Sequence, residues 1–325
     1  MRKQWKRVLI VALFVVLFFA SLMVGALSGV TTKSLLSGDA LSWSIIWHSR
    51  LPRTIAVVLA AASLSAAGMI MQAISRNKFM SPSTSGTTDA AAFGILISYV
   101  LLNEQPGIVQ TLFAFVFALA STLVFTSVIN RLKLREVVYV PLLGMMYGGL
   151  ISALTTALAY RFDVLQMVTA INLGSFARLG GFTMVYLVIP PLVFAVAYAS
   201  KFSIIGLGED FAKNLGLRYN RVVFMGLIIV SLISAATFVA VGPLPFIGLI
   251  IPNMATSFYG DNLKKSIVDL MIFGADFVLV CDIFSRLVIY PFEMSVSLTI
   301  SVVGGVVFMI YLVRGMYGGK KQRSA

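Results

Sequence analysis

The sequence predicts an all-α integral membrane protein with about ten transmembrane helices. Hydrophobic residues make up 59% of the 325-residue chain and charged residues only 11%, against roughly 45–50% and about 25% in soluble domains. Apolar runs of about 17–25 residues, long enough to cross a bilayer as helices, recur along the whole chain. The longest hydrophilic stretches, 30–53 and 201–221, are loops between such runs. Residues 1–325 are therefore expected to form a single transmembrane domain.

The first run, 8–29, follows Arg2, Lys3, Lys6 and Arg7. That basic start resembles a signal peptide, but the apolar stretch exceeds the usual h-region, so it is read as a retained span with a cytoplasmic N-terminus. Further runs cover 54–74, 87–103, 107–130, 138–159, 181–200, 222–241, 266–285 and 294–313. A shorter run, 244–259, is interrupted by Pro243, Pro245 and Pro252. It is either a full span or a helix entering part-way, the latter tolerated only where protein surrounds its freed backbone groups.

Counting that run gives ten crossings and places both termini inside. Arg2, Lys3, Lys6, Arg7, Arg76, Lys78, Arg131, Lys133, Arg135, Lys201, Lys213, Arg218, Arg221, Lys264, Lys265, Arg314, Lys320, Lys321 and Arg323 then fall on the cytoplasmic side. Lys33, Arg50, Arg53, Arg161, Arg178 and Arg286 fall outside, so 19 of the 25 basic residues are inside. That bias is the topology signal expected of a multi-pass protein. It also explains the net charge of +13 without a nucleic-acid partner.

Several chemistries are excluded. One His (His48) and one Cys (Cys281) leave no His-based metal site or proton relay and no internal disulfide. Apart from Glu209–Asp210 the twelve acids are scattered singly, without the clustered groups a catalytic site needs. No phosphate-cradling G-x-x-x-x-G-K-[ST] loop is present, so any ATPase must be another chain. The acids that could carry a coupling ion are Asp89, Asp276 and Asp282. Asp282 stands four residues before Arg286, the spacing of a helix-end ion pair, and Asp276 reads as a buried hydrogen-bonding group at a helix contact.

Four stretches carry more information. In Arg50-Leu51-Pro52-Arg53, on the outer side, the arginines either snorkel to lipid headgroups or dock an acidic partner, with Arg286 as a third contact. Between 65 and 94, Gly68, Gln72, Asn77, Pro82, Gly86, Asp89 and Gly94 lie among Ala and Ser, a composition for close helix packing. The loop 206–216 pairs Glu209 with Lys213 and places Phe211, Ala212 and Leu215 on one stripe. It reads as a short surface helix closed by Gly216, either plainly interfacial or inserted into a groove of a cytosolic partner. The segment 242–253, with Pro243, Pro245, Pro252, Gly242 and Gly248, must break regular helix.

In this order and spacing these stretches resemble the FecCD family, the permease subunits of ABC importers for iron–siderophores, haem and vitamin B12. The resemblance spans nearly the whole chain. It rests on R-L-P-R at 50–53, the G…Q…N…P…G series at 68–86, L-G-E-x-x-A-x-x-L-G at 207–216, F-I-G-L-I-x-P at 246–252, and Asp282, Arg286 and Glu293. It implies the type II ABC importer permease fold, two permease subunits around a central pathway, two cytosolic ATPases and an external solute-binding protein. It also implies that Arg50, Arg53 and Arg286 pair with acids on the binding protein. Gly206, Leu207, Gly208, Glu209, Asp210, Ala212, Leu215 and Gly216 would couple to the ATPase. Spans 138–159 and 294–313 would line the pathway, with Gly144, Gly148, Gly149, Gly304 and Gly305 leaving a wide lumen. No cofactor, catalytic residue or bound metal is implied.

The chain departs from the commoner family pattern at four places. Asn77 precedes Lys78-Phe79-Met80 where Pro-Leu-Ala is usual, and Asn253 follows Pro252 where His is usual. Thr256-Ser257 stands where an Arg is frequent, and Glu293 precedes Met-Ser-Val-Ser where Leu-Pro-Val-Gly is typical. These departures resemble a subgroup that pairs with a different partner permease, implying a heterodimer rather than a homodimer and a catecholate-type siderophore as cargo. Haem or vitamin B12 is the alternative cargo within the family. An ion-coupled secondary transporter is the alternative from another class.

Overall fold

The computed structural model describes residues 2–25, 39–102, 107–132, 139–176, 183–259 and 263–322, and among them every regular element is helical. The helices are α1 (Arg2–Met23), α2 (Ala40–Ile45), α3 (Leu51–Ser75), α4 (Thr87–Leu102), α5 (Ile108–Leu132), α6 (Tyr139–Arg161), α7 (Leu165–Asn172), α8 (Thr183–Tyr186), α9 (Ile189–Ala197), α10 (Ala199–Ile205), α11 (Glu209–Asn214), α12 (Tyr219–Val241), α13 (Ile247–Tyr259), α14 (Leu263–Leu287) and α15 (Val296–Gln322). A π-helical turn, Ile46–Arg50, joins α2 to α3.

Three elements differ from their sequence outlines. The first helix starts at Arg2 and ends at Met23, several residues earlier than the apolar run, because Lys and Arg are good helix formers. The run 181–200 is divided into α8, α9 and α10. Pro190 and Pro191 cannot continue a preceding helix and instead sit in the first turn of α9, where a missing N–H costs nothing. The proline-rich run yields α13, 13 residues long with Pro252 inside it. At 1.5 Å per residue that is about 20 Å, short of a hydrocarbon core of about 30 Å. It is enclosed by α3, α14 and α15, the environment a short, proline-interrupted membrane helix requires.

The centre of the molecule is α3, packed by α12, α13 and α14. Ala56, Ala60, Ala61, Ala66 and Ala67 are all buried along it, and such small side chains let helix backbones approach closely. The approach is tightest where Gly68 meets Gly248: a Cβ on Gly68 would overlap the Gly248 carbonyl. Ser63 and Ser65 are buried there too, and each hydroxyl donates to a carbonyl of its own helix, Ala60 O and Ala61 O. Neither hydroxyl is then stranded in the apolar layer. Asp276, expected as a hydrogen-bonding group at a helix contact, is buried in α14 instead with no hydrogen-bond partner at either carboxylate oxygen among the described residues.

The apolar helices divide by burial. In the α2–α3 segment 83% of the most apolar window is buried, whereas in α6 the figure is 22%. Leu142, Met145, Met146, Leu150 and Leu154 of α6 and Leu298, Val302, Val306 and Met309 of α15 are exposed. Gly149 and Gly305 on these helices have open space where a side chain would stand.

Candidate functional site

One end of α3 gathers the arginines. Arg50 closes the π-helical turn and Arg53 lies in the first turn of α3, while Asp282 and Arg286 occupy the last turns of α14. Arg50 Nη1 donates to Leu22 O at 2.9 Å and Met23 O at 2.7 Å. Arg286 Nη1 donates to Ser21 O at 3.0 Å and Val24 O at 2.6 Å, and its Nη2 to Ser21 Oγ at 2.7 Å. These oxygens include the last-turn carbonyls of α1, which lack partners inside the helix. Two cations thus satisfy the negative end of the first helix dipole.

Carboxylates tie this cap to α3. Asp282 Oδ2 accepts from Arg286 Nη2, and Asp282 Oδ1 accepts from Arg53 Nη2 at 2.8 Å and Nε at 3.3 Å. Arg53 Nη1 continues the chain to Glu293 Oε2 at 2.7 Å. Asp282 is fully buried and Arg286 is 2% exposed, so the pair works in a low-dielectric setting where loss of one partner is costly. Only Arg53 and Glu293, with side chains 12% and 20% exposed, retain access to solvent.

The structure gathers Arg50, Arg53 and Arg286 at one end of α3, with Arg50 and Arg286 folded inward onto α1 and Arg53 partly open to solvent. Composition could not show this, because the capped carbonyls belong to a helix far away in sequence. The i,i+4 spacing of Asp282 and Arg286 did mark their ion pair.

The opposite end of α3 leads to α11. Gly208, at φ 121°, enters this six-residue helix and Gly216, at φ 77°, leaves it, conformations that L side chains disfavour. Leu217 N donates to Ala212 O at 3.0 Å and Gly216 N to Lys213 O at 2.9 Å, the paired bonds of a Schellman cap. Lys213 Nζ meets Glu209 Oε1 at 2.8 Å, and the hydrogen bond to that carboxylate raises the Lys213 ammonium above its ordinary value.

Ala212 is fully buried beneath α11, whereas Leu207, Phe211 and Leu215 are 65%, 49% and 56% exposed. The outward stripe is thus Leu207, Phe211 and Leu215. Leu207 was detectable as its first member by the i, i+4, i+8 interval. Gly206 precedes the same helix and Asp210 lies within it, and neither joins the stripe.

Beside α11 lies a cavity of about 270 Å³ lined by Gln72, Arg76, Asn77, Lys78, Gly206 and Leu207, among others. Asn77 Oδ1 accepts from Phe79 N at 2.9 Å, closing a turn. Gln72 Nε2 donates to Leu249 O at 3.4 Å. Asn253, at the position that departs from the family pattern, donates to Lys78 O and Leu249 O, both at 2.7 Å.

The expected lumen glycines separate into two kinds. Gly144 abuts the Thr84 carbonyl, Gly148 the Asp89 carboxylate, and Gly304 the side chains of Ile250 and Phe246. These are packing positions, like Gly68. Gly149 and Gly305 alone among the five face open space.

The described residues thus form an all-helical bundle with a buried arginine–carboxylate cluster at one end and an exposed short helix at the other. The model of the FecCD transport family matches residues 13–314, and the chain belongs to that family. It is 45% identical over 273 residues to the petrobactin import system permease protein YclN of Bacillus subtilis (strain 168), covering 83% of this chain and 86% of the relative. To the ferric-anguibactin transport system permease protein FatD of Vibrio anguillarum it is 39% identical over 276 residues, covering 84% and 88%. The fold matches that of a metal-chelate type ABC transporter solved in an inward-facing conformation, with a TM-score of 0.78 at 21% identity over 96% of this chain and 99% of that one. The chain is thus a multi-pass permease subunit of an ABC importer, a class that works with ATPase and solute-binding partners.

Proposed function

We propose that this permease carries an iron–siderophore chelate, of catecholate type, across the cytoplasmic membrane as one half of a heterodimer. The observation that carries the reading is its similarity to permeases named for petrobactin and ferric-anguibactin. The four departures from the commoner family pattern support a distinct partner permease.

In this reading both termini are cytoplasmic and the arginine end faces outward. A loaded binding protein approaches that end, where complementary charge raises the encounter rate and sets register more than it raises affinity. Arg53 and Glu293 offer the accessible charges. Arg50 and Arg286 act by holding the end of α1, and they reach the partner only if that cap opens. At the cytoplasmic face the 201–221 loop presents α11, whose exposed Leu207, Phe211 and Leu215 suit a groove on an ATPase. Motion there passes to α12 and α3 through α10, which packs on both. The exposed apolar faces of α6 and α15 meet the second permease or the pathway. A weakly binding lumen lets a bulky chelate leave.

The test is growth in iron-limited medium across a panel of catecholate and hydroxamate siderophores, haem and vitamin B12, with this gene deleted and restored. Loss confined to catecholate chelates is the expected result. Loss of haem or vitamin B12 use alone overturns the cargo assignment. Co-purification with a second copy of this chain, rather than a homologue, overturns the heterodimer.

A further inference from the structure

A second cavity, of about 230 Å³, lies between α4, α6 and α7, beside the end of α12. Its polar wall is Thr88, Asp89, Ser152, Thr155, Thr156 and Asn172. Asp89 touches the position of Gly148, nine residues along α6 and so about 14 Å from its start, near the middle of a bilayer about 30 Å thick. An ionisable group at that depth points to a functional site by default.

In this wall Thr88, Ser152 and Asn172 can donate or accept, whereas Thr155 and Thr156 have already spent their donors. Thr155 Oγ1 donates to Ile151 O at 2.8 Å and Thr156 Oγ1 to Ser152 O at 2.9 Å. A hydroxyl has one proton, so towards the cavity these two threonines offer only lone pairs. No Lys or Arg among the described residues forms an ion pair with Asp89. Its carboxylate lone pairs also accept. Gly148 holds this arrangement open, because a Cβ there would stand 2.6 Å from Asp89 Oδ2.

A pocket that combines the Asp89 carboxylate, two threonines that can only accept and an apolar side at Phe238 is complementary to a cationic N–H donor group attached to a carbon chain. We propose that this cavity is a subsite for a protonated amine of the transported solute, with Asp89 as its counter-ion. The proposal rests on the permease reading above and adds to it a chemical class: the cargo carries an alkylammonium arm besides its iron-binding groups.

The test uses butylammonium as the probe, with saturation-transfer NMR on the assembled transporter in lipid nanodiscs. Butanol, tetramethylammonium, Na⁺ and K⁺ are compared at equal ionic strength. Asp89→Asn is expected to weaken butylammonium binding about fivefold, the upper weight of a single accessible ion pair. Thr156→Val, at an exposed position, removes one acceptor and is expected to weaken it about threefold. It keeps the test open should Asp89→Asn fail to fold, as judged by its elution and thermal midpoint.

Equal binding by wild type and the folded variants overturns the proposal. Displacement by Na⁺ or K⁺ at butylammonium's own concentration also overturns it and makes the cavity an inorganic cation site. Tetramethylammonium or butanol binding as well as butylammonium removes the N–H donor or charge requirement and equally overturns it. Because the probe is not the chelate, butylammonium binding in a protein that imports no chelate would sink the permease cargo and leave the subsite standing.

Discussion

At the Arg50 end of the molecule, Arg50 and Arg286 fold inward onto α1, and Asp282, Arg53 and Glu293 spend hydrogen bonds within the same cluster. At the Gly208 end, Glu209 and Lys213 pair at the surface of a six-residue helix, and Leu207, Phe211 and Leu215 on and beside it are exposed. Both ends carry ion pairs, but their physical roles are opposite. Where carbonyls of a distant helix need donors, long arginine side chains are drawn inside. Where backbone needs are met by a Schellman cap and glycines at positive φ, side chains remain free for a partner. Stability should therefore depend strongly on the first end and association on the second.

The largest expected effect comes from Asp282→Ala. It strips Arg286 and Arg53 of their shared buried carboxylate and should cost about 3–5 kcal/mol, seen as a collapse of the thermal midpoint in detergent. A change below about 1 kcal/mol would show that water reaches the cluster freely and would erase the contrast between the ends.

Next comes Gly68→Ala, which forces α3 and α13 apart at Gly248. About 1–3 kcal/mol is expected for such overpacking, again read from the midpoint. Gly149→Ala, with open space around it, should shift the midpoint far less and serves as the paired control.

Replacing Leu207, Phe211 and Leu215 together by Ser should leave stability within about 0.5 kcal/mol, as is usual for exposed sites. The same triple variant should lose the ATPase subunit on size exclusion. A lowered midpoint with the ATPase retained would reverse the roles assigned to the two ends. The smallest effect is expected from Lys213→Ala, whose exposed pair with Glu209 is screened by water and salt; the midpoint should not move measurably.

Much of the fold was legible because membrane helices must be long and apolar, and runs such as 107–130 and 222–241 match α5 and α12 closely. The division of 181–200 was foreshadowed by Pro190 and Pro191 yet overridden by mean apolarity. The Glu209–Lys213 pair and the Gly216 cap were readable because their partners lie within a turn or two. The inward turn of Arg50 and Arg286 was not, since Ser21, Leu22 and Val24 contribute backbone oxygens that any residue could supply. The Asp89 cavity was likewise hidden, because four helices assemble it and Gly148 contributes only an absence of side chain.

The most direct test of the account is the initial rate of radio-iron chelate uptake into proteoliposomes holding the complete transporter and its binding protein. The compared conditions are ATP present or absent on the ATPase side, each with and without a protonophore. The account predicts uptake that requires ATP and is indifferent to the protonophore. Uptake that persists without ATP and collapses with the protonophore would contradict it and make the chain an ion-coupled transporter.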